Sequence, residues 1–531
     1  MLNRWLQLII VVFLTLLLTG CSQKSGMPAG SEARVPPPPM PPLATIPNRL
    51  DSAPVFGPIE TFHGSPLAHV GRGGLFDTHG PKANRIAVLA NGDISFAARV
   101  QLLEQAETSI RIQALIFAGD ESGLYIAEIL KRKKAEGLDV RVIVDAPSNL
   151  GFQTQWMYFD LKQHGIEVQG YEALYLEWLN EIPIPFHSPE RDPEAPNSRY
   201  HEKMWIVDGE TERAAAVVGG LNTANEYFRV DPSDPDHYWR DQDIIVQGPM
   251  VADMVAAFER NFEHFLAIKE SRGDLNTDLY WEKTREFLDT VGKLDISYAT
   301  RDDLMARVRE MARQKLNLNY VRARSRFFQN RPRLFETYIQ QAYQKLIAQA
   351  RHEILICNAY FIPSADFIAA VHEAVGRGVQ VIILTNSTHT NDLPELTMVG
   401  RHYYKDILAI NDAEGIRDGG GKVQIWEWHG WRYDQDRQTE GTIHAKYAVF
   451  DRRYALVGSY NLDPRSETLN SETAVVFESS ALSSELAQTF YANDLAYSRR
   501  ISPKDADTFK DPSDAFYKLR KEFGVLFEPL L

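Results

Sequence analysis

The chain writes His, Lys and Asp twice on one spacing. "HEKMWIVD" places His201, Lys203 and Asp208, and "HAKYAVFD" places His444, Lys446 and Asp451. More polar residues follow each copy. "GGLN" supplies Asn222 and "WRDQDIIVQ" supplies Asp241; "GSYN" supplies Ser459 and Asn461, and "NSETAVVFE" supplies Glu472. This set suits phosphodiester chemistry. A phosphodiester carries one negative charge and gathers more density on its oxygens in the transition state, where two Lys and two Asn act as fixed donors. Two His supply a nucleophile and a proton donor. Asp241 and Glu472 can each hold a ring nitrogen and set its tautomer. The lysines already neutralise the phosphate, so neither a metal nor a cofactor is expected. The sequence has no His-Glu-x-x-His helix and no paired cysteines. One His-x-Lys would carry little weight, but two copies with matching Asn and carboxylate are not explained by packing.

The elements around the motifs repeat as well. Read as a strand, each copy points His and Lys the same way, and the fillers "MWIV" and "YAVF" are apolar on both faces. Asp208 and Asp451 then end their strands in turns, with return strands "AAAVVGG" and "ALVGS". Upstream, "DISFAARVQLLEQAETSIRIQALIF", "SGLYIAEILKRKKAEG" and "LDVRVIVDAPSN" read as helix–strand, helix and strand. "FETYIQQAYQKLIAQARHEILICNAYF", "SADFIAAVHEAVGRG" and "VQVIILTNST" repeat the pattern before the second motif. Strand–helix–strand units imply parallel pairing and an α/β fold of two similar domains, 81–268 and 334–531, the second ending in helices. The body is expected to begin near Asn91. Between the domains, 269–333 reads as a basic helical connector. Its later part, 301–333, holds ten Arg or Lys against three Asp or Glu, and is either a solvated connector or a patch for anionic head groups.

The first 20 residues read as a signal peptide. Arg4 precedes an apolar run from Leu8 to Leu18, too short for a comfortable membrane span, and then Thr19-Gly20-Cys21. Residues 21–80 are rich in Pro, Gly and Ser and read as a tether. The other cysteine, Cys357, lies in an apolar run and reads as a core residue, so no disulfide framework is expected. A net charge of −14 disfavours a general nucleic-acid binder. At 44% apolar and 24% charged residues, the composition is that of a folded globular chain.

Two resemblances add to this reading. Leu-Thr-Gly-Cys is similar to a bacterial lipoprotein box, which implies lipidation of Cys21 and attachment to a membrane of the cell envelope, facing the periplasm. Ser22 is compatible with export to the outer membrane. The duplicated motif resembles the signature of the phospholipase D superfamily, from about Asn91 to the C-terminus. "IHAKYAVFDRRYALVGSYNLDPRSETLNSE" is similar to bacterial cardiolipin synthases, and "YHEKMWIVD", "VVGGLNTANEYF" and "YWRDQDIIVQGP" resemble their first half.

The superfamily resemblance implies two α/β/α domains that share one active site at their interface. One His, by resemblance His201, forms a phosphohistidine, and His444 protonates the leaving alcohol. Phospholipid substrates follow, with cardiolipin made from a phospholipid donor and phosphatidylglycerol. Glu202 departs from the basic or neutral residue frequent at that place, and the lipoprotein start replaces membrane helices. Both departures bear on the acceptor and not on the chemistry.

Three other functions compete. A hydrolytic phospholipase D would use the same residues. A nuclease is disfavoured by the acidic charge, and a non-catalytic lipid-binding lipoprotein by the completeness of both motifs. "IWEWHGWRY", with Trp426, Trp428 and Trp431, reads either as an interfacial belt or as strand-end core.

Overall fold

The computed structural model describes residues 36–42, 53–59, 76–145, 148–149, 151–170, 199–272, 298–332, 336–414, 416 and 420–510. Cys21 with the whole signal segment, most of the tether, connector residues 273–297 and the C-terminal residues 511–531 lie outside the described residues.

Fifteen strands join in one sheet. They are β1 His79–Leu89, β2 Ser109–Ala114, β3 Asp139–Val144, β4 Glu167–Gln169, β5 Met204–Val207, β6 Ala215–Gly219, β7 Asp243–Gln247 and β8 Val321–Asn330. Then come β9 Glu353–Cys357, β10 Gln380–Asn386, β11 Lys422–Trp428, β12 Tyr447–Phe450, β13 Tyr454–Gly458, β14 Glu472–Glu478 and β15 Ser498–Arg500. Outward from the central β1–β8 pair, the order is β7-β6-β5-β2-β3-β4 on one side. On the other it is β14-β13-β12-β9-β10-β11, with β15 at the edge. The sequence repeat is thus a repeat of topology.

The expected βαβ units are the outer strands of each half. β2, β3 and β4 pair in parallel, as do β9, β10 and β11. Helices such as Glu121–Ala135 and Ala365–Gly376 cross between them. Asp120 and Ser364 begin these two helices, each accepting a hydrogen bond from a first-turn N–H. The motif strands β5 and β12 instead run antiparallel to their neighbours. Every residue of both is buried, as their unbroken apolar fillers require.

Three sequence expectations are corrected. The body begins at β1, not near Asn91. The stretch 269–333 is not a purely helical connector: after helix Asp302–Ala312 it forms β8, which pairs with both β1 and β14 and fuses the halves into one sheet. Arg322, Arg324 and Arg326 hid this strand, because alternating cations read as solvent-facing while their stems lie along the sheet. Much of the basic run is also tied into the fold. Arg326 donates to the carbonyls of Phe76, Val55 and Gly57, and Arg324, Arg331, Arg307 and Arg301 pair with Glu478, Glu336, Glu310, Asp231 and Asp303. The tether is not free throughout, since Val55 is fully buried in the core of the second half and Pro41 accepts from Arg452. Of the two readings of the tryptophan stretch, Trp426 and Trp428 follow the strand-end core one.

One apolar cluster runs beneath both halves. It joins Met204, Ile206 and Val218 to Cys357, Tyr447 and Val457, and is covered by helices Met250–Arg272 and Ser480–Thr489. Cys357 is buried with a free thiol, and burial pushes that thiol well above its usual range.

Candidate active site

Each motif is anchored at its far end by its Asp. Asp208 and Asp451 sit in the left-handed region at φ 52. The Asp208 carboxylate accepts from the backbone N–H groups of Glu107, Thr108 and Ser109 at 2.7–3.2 Å. Burial opposes its ionisation, and the Thr108 and Ser109 donors outweigh that, so it titrates below the usual carboxylate range. Asp451 accepts likewise from Arg351, His352 and Glu353 at 2.8–2.9 Å. Both therefore fix the turn into β2 or β9, at the opposite end of a four-residue strand from the histidines. They are not brought to the site.

The other end of each strand is where the halves meet. Tyr200 bridges Ser471, with His201 N–H donating to the Ser471 carbonyl (3.0 Å) and Ser471 N–H to the Arg199 carbonyl (2.9 Å). Arg240 bridges Ile443, through Arg240 N–H to Thr442 and His444 N–H to Arg240, both 2.8 Å. Each bridge sets a histidine beside the carboxylate of the opposite half. Nδ1 of His201 lies 2.8 Å from Glu472, and Nδ1 of His444 lies 2.7 Å from Asp241. The sequence suggested that these carboxylates hold the rings, but grouped each with the histidine of its own half. The structure crosses them.

Supporting contacts complete both corners. Glu472 also accepts from Ser459 (2.5 Å) and Ser466 (2.8 Å). Asp241 accepts from Gln242 N–H at 2.7 Å. Gly220 stands where the second half has Ser459, and a Cβ there would come within 2.6 Å of both Asp241 oxygens. The shorter acid thus needs a glycine beside it. Buried Arg240 forks onto Asp494, which also takes the Tyr447 hydroxyl, and Arg229 forks onto Glu440, so two ion pairs clamp the halves.

Burial sets the electrostatics. It lowers Lys203 to about 7, with Lys446 the next cause, and lowers Lys446 to about 8 against the pull of Asp241 and Glu472. Two ammonium groups share one small space and resist each other's charge. Burial, then Lys203, Lys446 and Arg465, hold His201 well below the ordinary imidazole range. Burial and both lysines do the same to His444. Burial raises Glu472 to about 7 and raises Asp241. Lys203 and Lys446 rest on the carbonyls of His201 and His444 at 2.8 and 2.5 Å. An anion between the lysines would relieve their repulsion, which is the demand a phosphodiester meets.

The two asparagines differ. Asn222 is tied, accepting from Ile116 N–H (3.2 Å) and donating to Tyr227 (2.9 Å). Asn461 is buried, and its side-chain oxygen has no hydrogen-bond partner among the described residues.

Sequence reasoning missed the surroundings. Tyr227, Trp239 and Tyr360 ring His444 at centroid distances of 5.4, 5.0 and 6.3 Å. Arg465, in the short helix that supplies Ser466, acts on His201. Aligning the halves from their asparagines would have found the contrast: Glu226 and Tyr227 occupy the places of Arg465 and Ser466.

Residues 100–270 and 343–494 match the family described as "Cardiolipin synthase, PLD-like domain". The chain belongs to this phospholipase D-like family. It is 26% identical over 423 residues to cardiolipin synthase A of Pseudomonas fluorescens, covering 80% of this chain and 71% of that one. It is 24% identical to cardiolipin synthase C of Escherichia coli, covering 80% and 90%. The fold is similar to that of phosphatidylserine synthase from Haemophilus influenzae (TM-score 0.55, 16% identity, 85% of this chain and 98% of that one). The matched ranges contain both corners of the candidate site, His201–Lys203 with Glu472 and His444–Lys446 with Asp241.

Proposed function

We propose that this protein transfers a phosphatidyl group through a phosphohistidine, making cardiolipin from a phospholipid donor and phosphatidylglycerol at a membrane of the bacterial envelope. The observation that carries the reading is the convergence of two His–Lys pairs, each ring held by a buried carboxylate of the opposite half. The names of the relatives in Pseudomonas fluorescens and Escherichia coli support the substrate class.

The donor phosphate binds between Lys203 and Lys446 and offsets their repulsion. Nε2 of neutral His201 attacks phosphorus. The bond from phosphorus to the head-group oxygen breaks, and His444 gives that oxygen a proton. The bound anion also favours the protonated His444 that this step needs. A hydroxyl of phosphatidylglycerol then replaces the departed head group and returns its proton to His444. Its oxygen attacks phosphorus, and the bond to His201 breaks. Lipidated Cys21 supplies the attachment in this reading. No helix among the described residues is long and apolar enough to cross a membrane.

The test is mass spectrometry of products from purified protein with a defined phospholipid donor and phosphatidylglycerol. Cardiolipin should dominate and phosphatidic acid be minor. Phosphatidic acid as main product at every phosphatidylglycerol level would make the protein a hydrolytic phospholipase D.

A further inference from the structure

The strand registers define equivalent positions in the two halves. Gln113 of β2 faces Met204 of β5 and Ile143 of β3, and Cys357 of β9 faces Tyr447 of β12 and Leu384 of β10. Nine residues beyond Ile143 stands Phe152, and nine beyond Leu384 stands Leu393. These two are 73% and 39% exposed, and the only other large hydrophobic exposed among the described residues is Met40 of the tether. A soluble surface scatters such residues; here they fall on the twofold relation of the active site.

Both follow strand ends that abut the motifs. Asp145, just past β3, accepts from Tyr200 N–H (3.3 Å), and Asn386, at the end of β10, bonds both backbone groups of Ile443 (2.7 and 3.0 Å). Phe152 opens helix Phe152–Gln163 and is braced edge-on by Trp156 (5.4 Å), which packs on Phe159 (5.8 Å). Leu393 precedes helix Pro394–Ala409, and its neighbour Asp392 accepts from Tyr360, whose ring lies 6.3 Å from that of His444.

We infer that Phe152 and Leu393 are paired apolar prongs, one on each lip of the site, that enter the acyl layer of a phospholipid bilayer and hold the mouth at head-group depth. The inference rests on the proposed lipid substrate. Place, not charge, argues for this occupant: both exposed residues follow strand ends bonded to the motifs of a site read as taking a lipid, whereas a net charge of −14 and a basic run largely paired within the fold give no attraction to an anionic surface. Apolar insertion on both sides of the reacting phosphate supplies the contact.

The experiment compares the full chain with Phe152→Ser, Leu393→Ser and the double variant. Substrate is offered in phosphatidylethanolamine/phosphatidylglycerol vesicles and as short-chain monomers below their micellar concentration. The double variant should lose at least about ten-fold of the vesicle rate and keep the monomer rate. An unchanged vesicle rate, or an equal fall in both rates, overturns the inference. An environment-sensitive dye on Phe152→Cys should shift to the blue on adding vesicles. No shift, or a shift caused only by raising protein concentration as a second copy docks, overturns it too. If the unmodified chain turns over no lipid, the proposed function fails while the dye still decides the docking.

Discussion

Glu472 holds Nδ1 of His201 at 2.8 Å although 271 positions separate them and they lie in different halves of the chain. Asp241 does the same for His444 across 203 positions. Neither half can therefore assemble a working histidine alone. Substitutions should sort by these crossed pairs. With a donor whose leaving alcohol needs no protonation, His444→Ala and Asp241→Asn should still form the covalent intermediate. His201→Ala and Glu472→Gln should abolish or slow its formation, by about 10²–10⁴-fold. Rapid-quench trapping of phosphohistidine checks this. Asp241→Asn grouping with His201→Ala would refute the crossing as a functional unit.

The lysines set an alkaline limit. The proposed mechanism needs both ammonium groups in the free enzyme, and burial brings Lys203 to about 7 and Lys446 to about 8. These folded values are depressed, so each charge is present below them and lost as pH rises through them. kcat/KM should thus fall from about pH 7–8 upward, while the limb in kcat lies higher because bound phosphate favours the charged forms. Lys203→Met and Lys446→Met should each cost roughly 3–4 kcal/mol of transition-state stabilisation. Chelator should leave the rate intact; loss with EDTA and rescue by one metal would defeat the charge-neutralising role.

Asp208 and Asp451 should behave as structural residues despite their place in the motif. Asp208→Ala strips acceptors from three backbone N–H groups and leaves a non-glycine residue at φ 52. It should lose about 2–4 kcal/mol in denaturant unfolding. The kcat of the folded fraction should be nearly unchanged, and a large kcat defect at full stability would place it in the chemistry after all.

Gly220 and Ser459 occupy equivalent places with opposite tolerances. A methyl on Gly220 collides with the Asp241 carboxylate that orients His444. Gly220→Ala should therefore mimic Asp241→Asn in rate. Ser459→Ala removes one bond to Glu472, which keeps Ser466, and should cost about 1–2 kcal/mol in kcat/KM. Steady-state kinetics of the two variants side by side decide it.

Glu202 lies fully buried on Asn261 and Gln329, and burial raises its carboxyl to about 7. A folded pKa above the unfolded one means that stability is greatest below about 4.5 and falls as pH rises through about 7. Glu202→Gln keeps an acceptor without the charge. It should raise stability at pH 8 by up to roughly 3 kcal/mol and change little at pH 5. Melting at both values is the check, and equal shifts at the two would remove the titration from the account.

The sequence alone determined which residue types make up the candidate site. Two His-x-Lys copies, each just ahead of a four-residue strand of apolar filler, are legible because a strand buried on both faces must be apolar. The βαβ repeats were legible for the same reason, periodicity being local. Only the tertiary structure decided the partners. Glu472 reaches His201 because the Tyr200–Ser471 bridge joins the halves, and Asp208 leaves the site because its carboxylate is consumed by the turn into β2. β8 fused two domains into one sheet behind a row of arginines that reads as surface. Long-range pairing follows from which backbone edges meet and which buried groups need partners, and a local pattern carries neither.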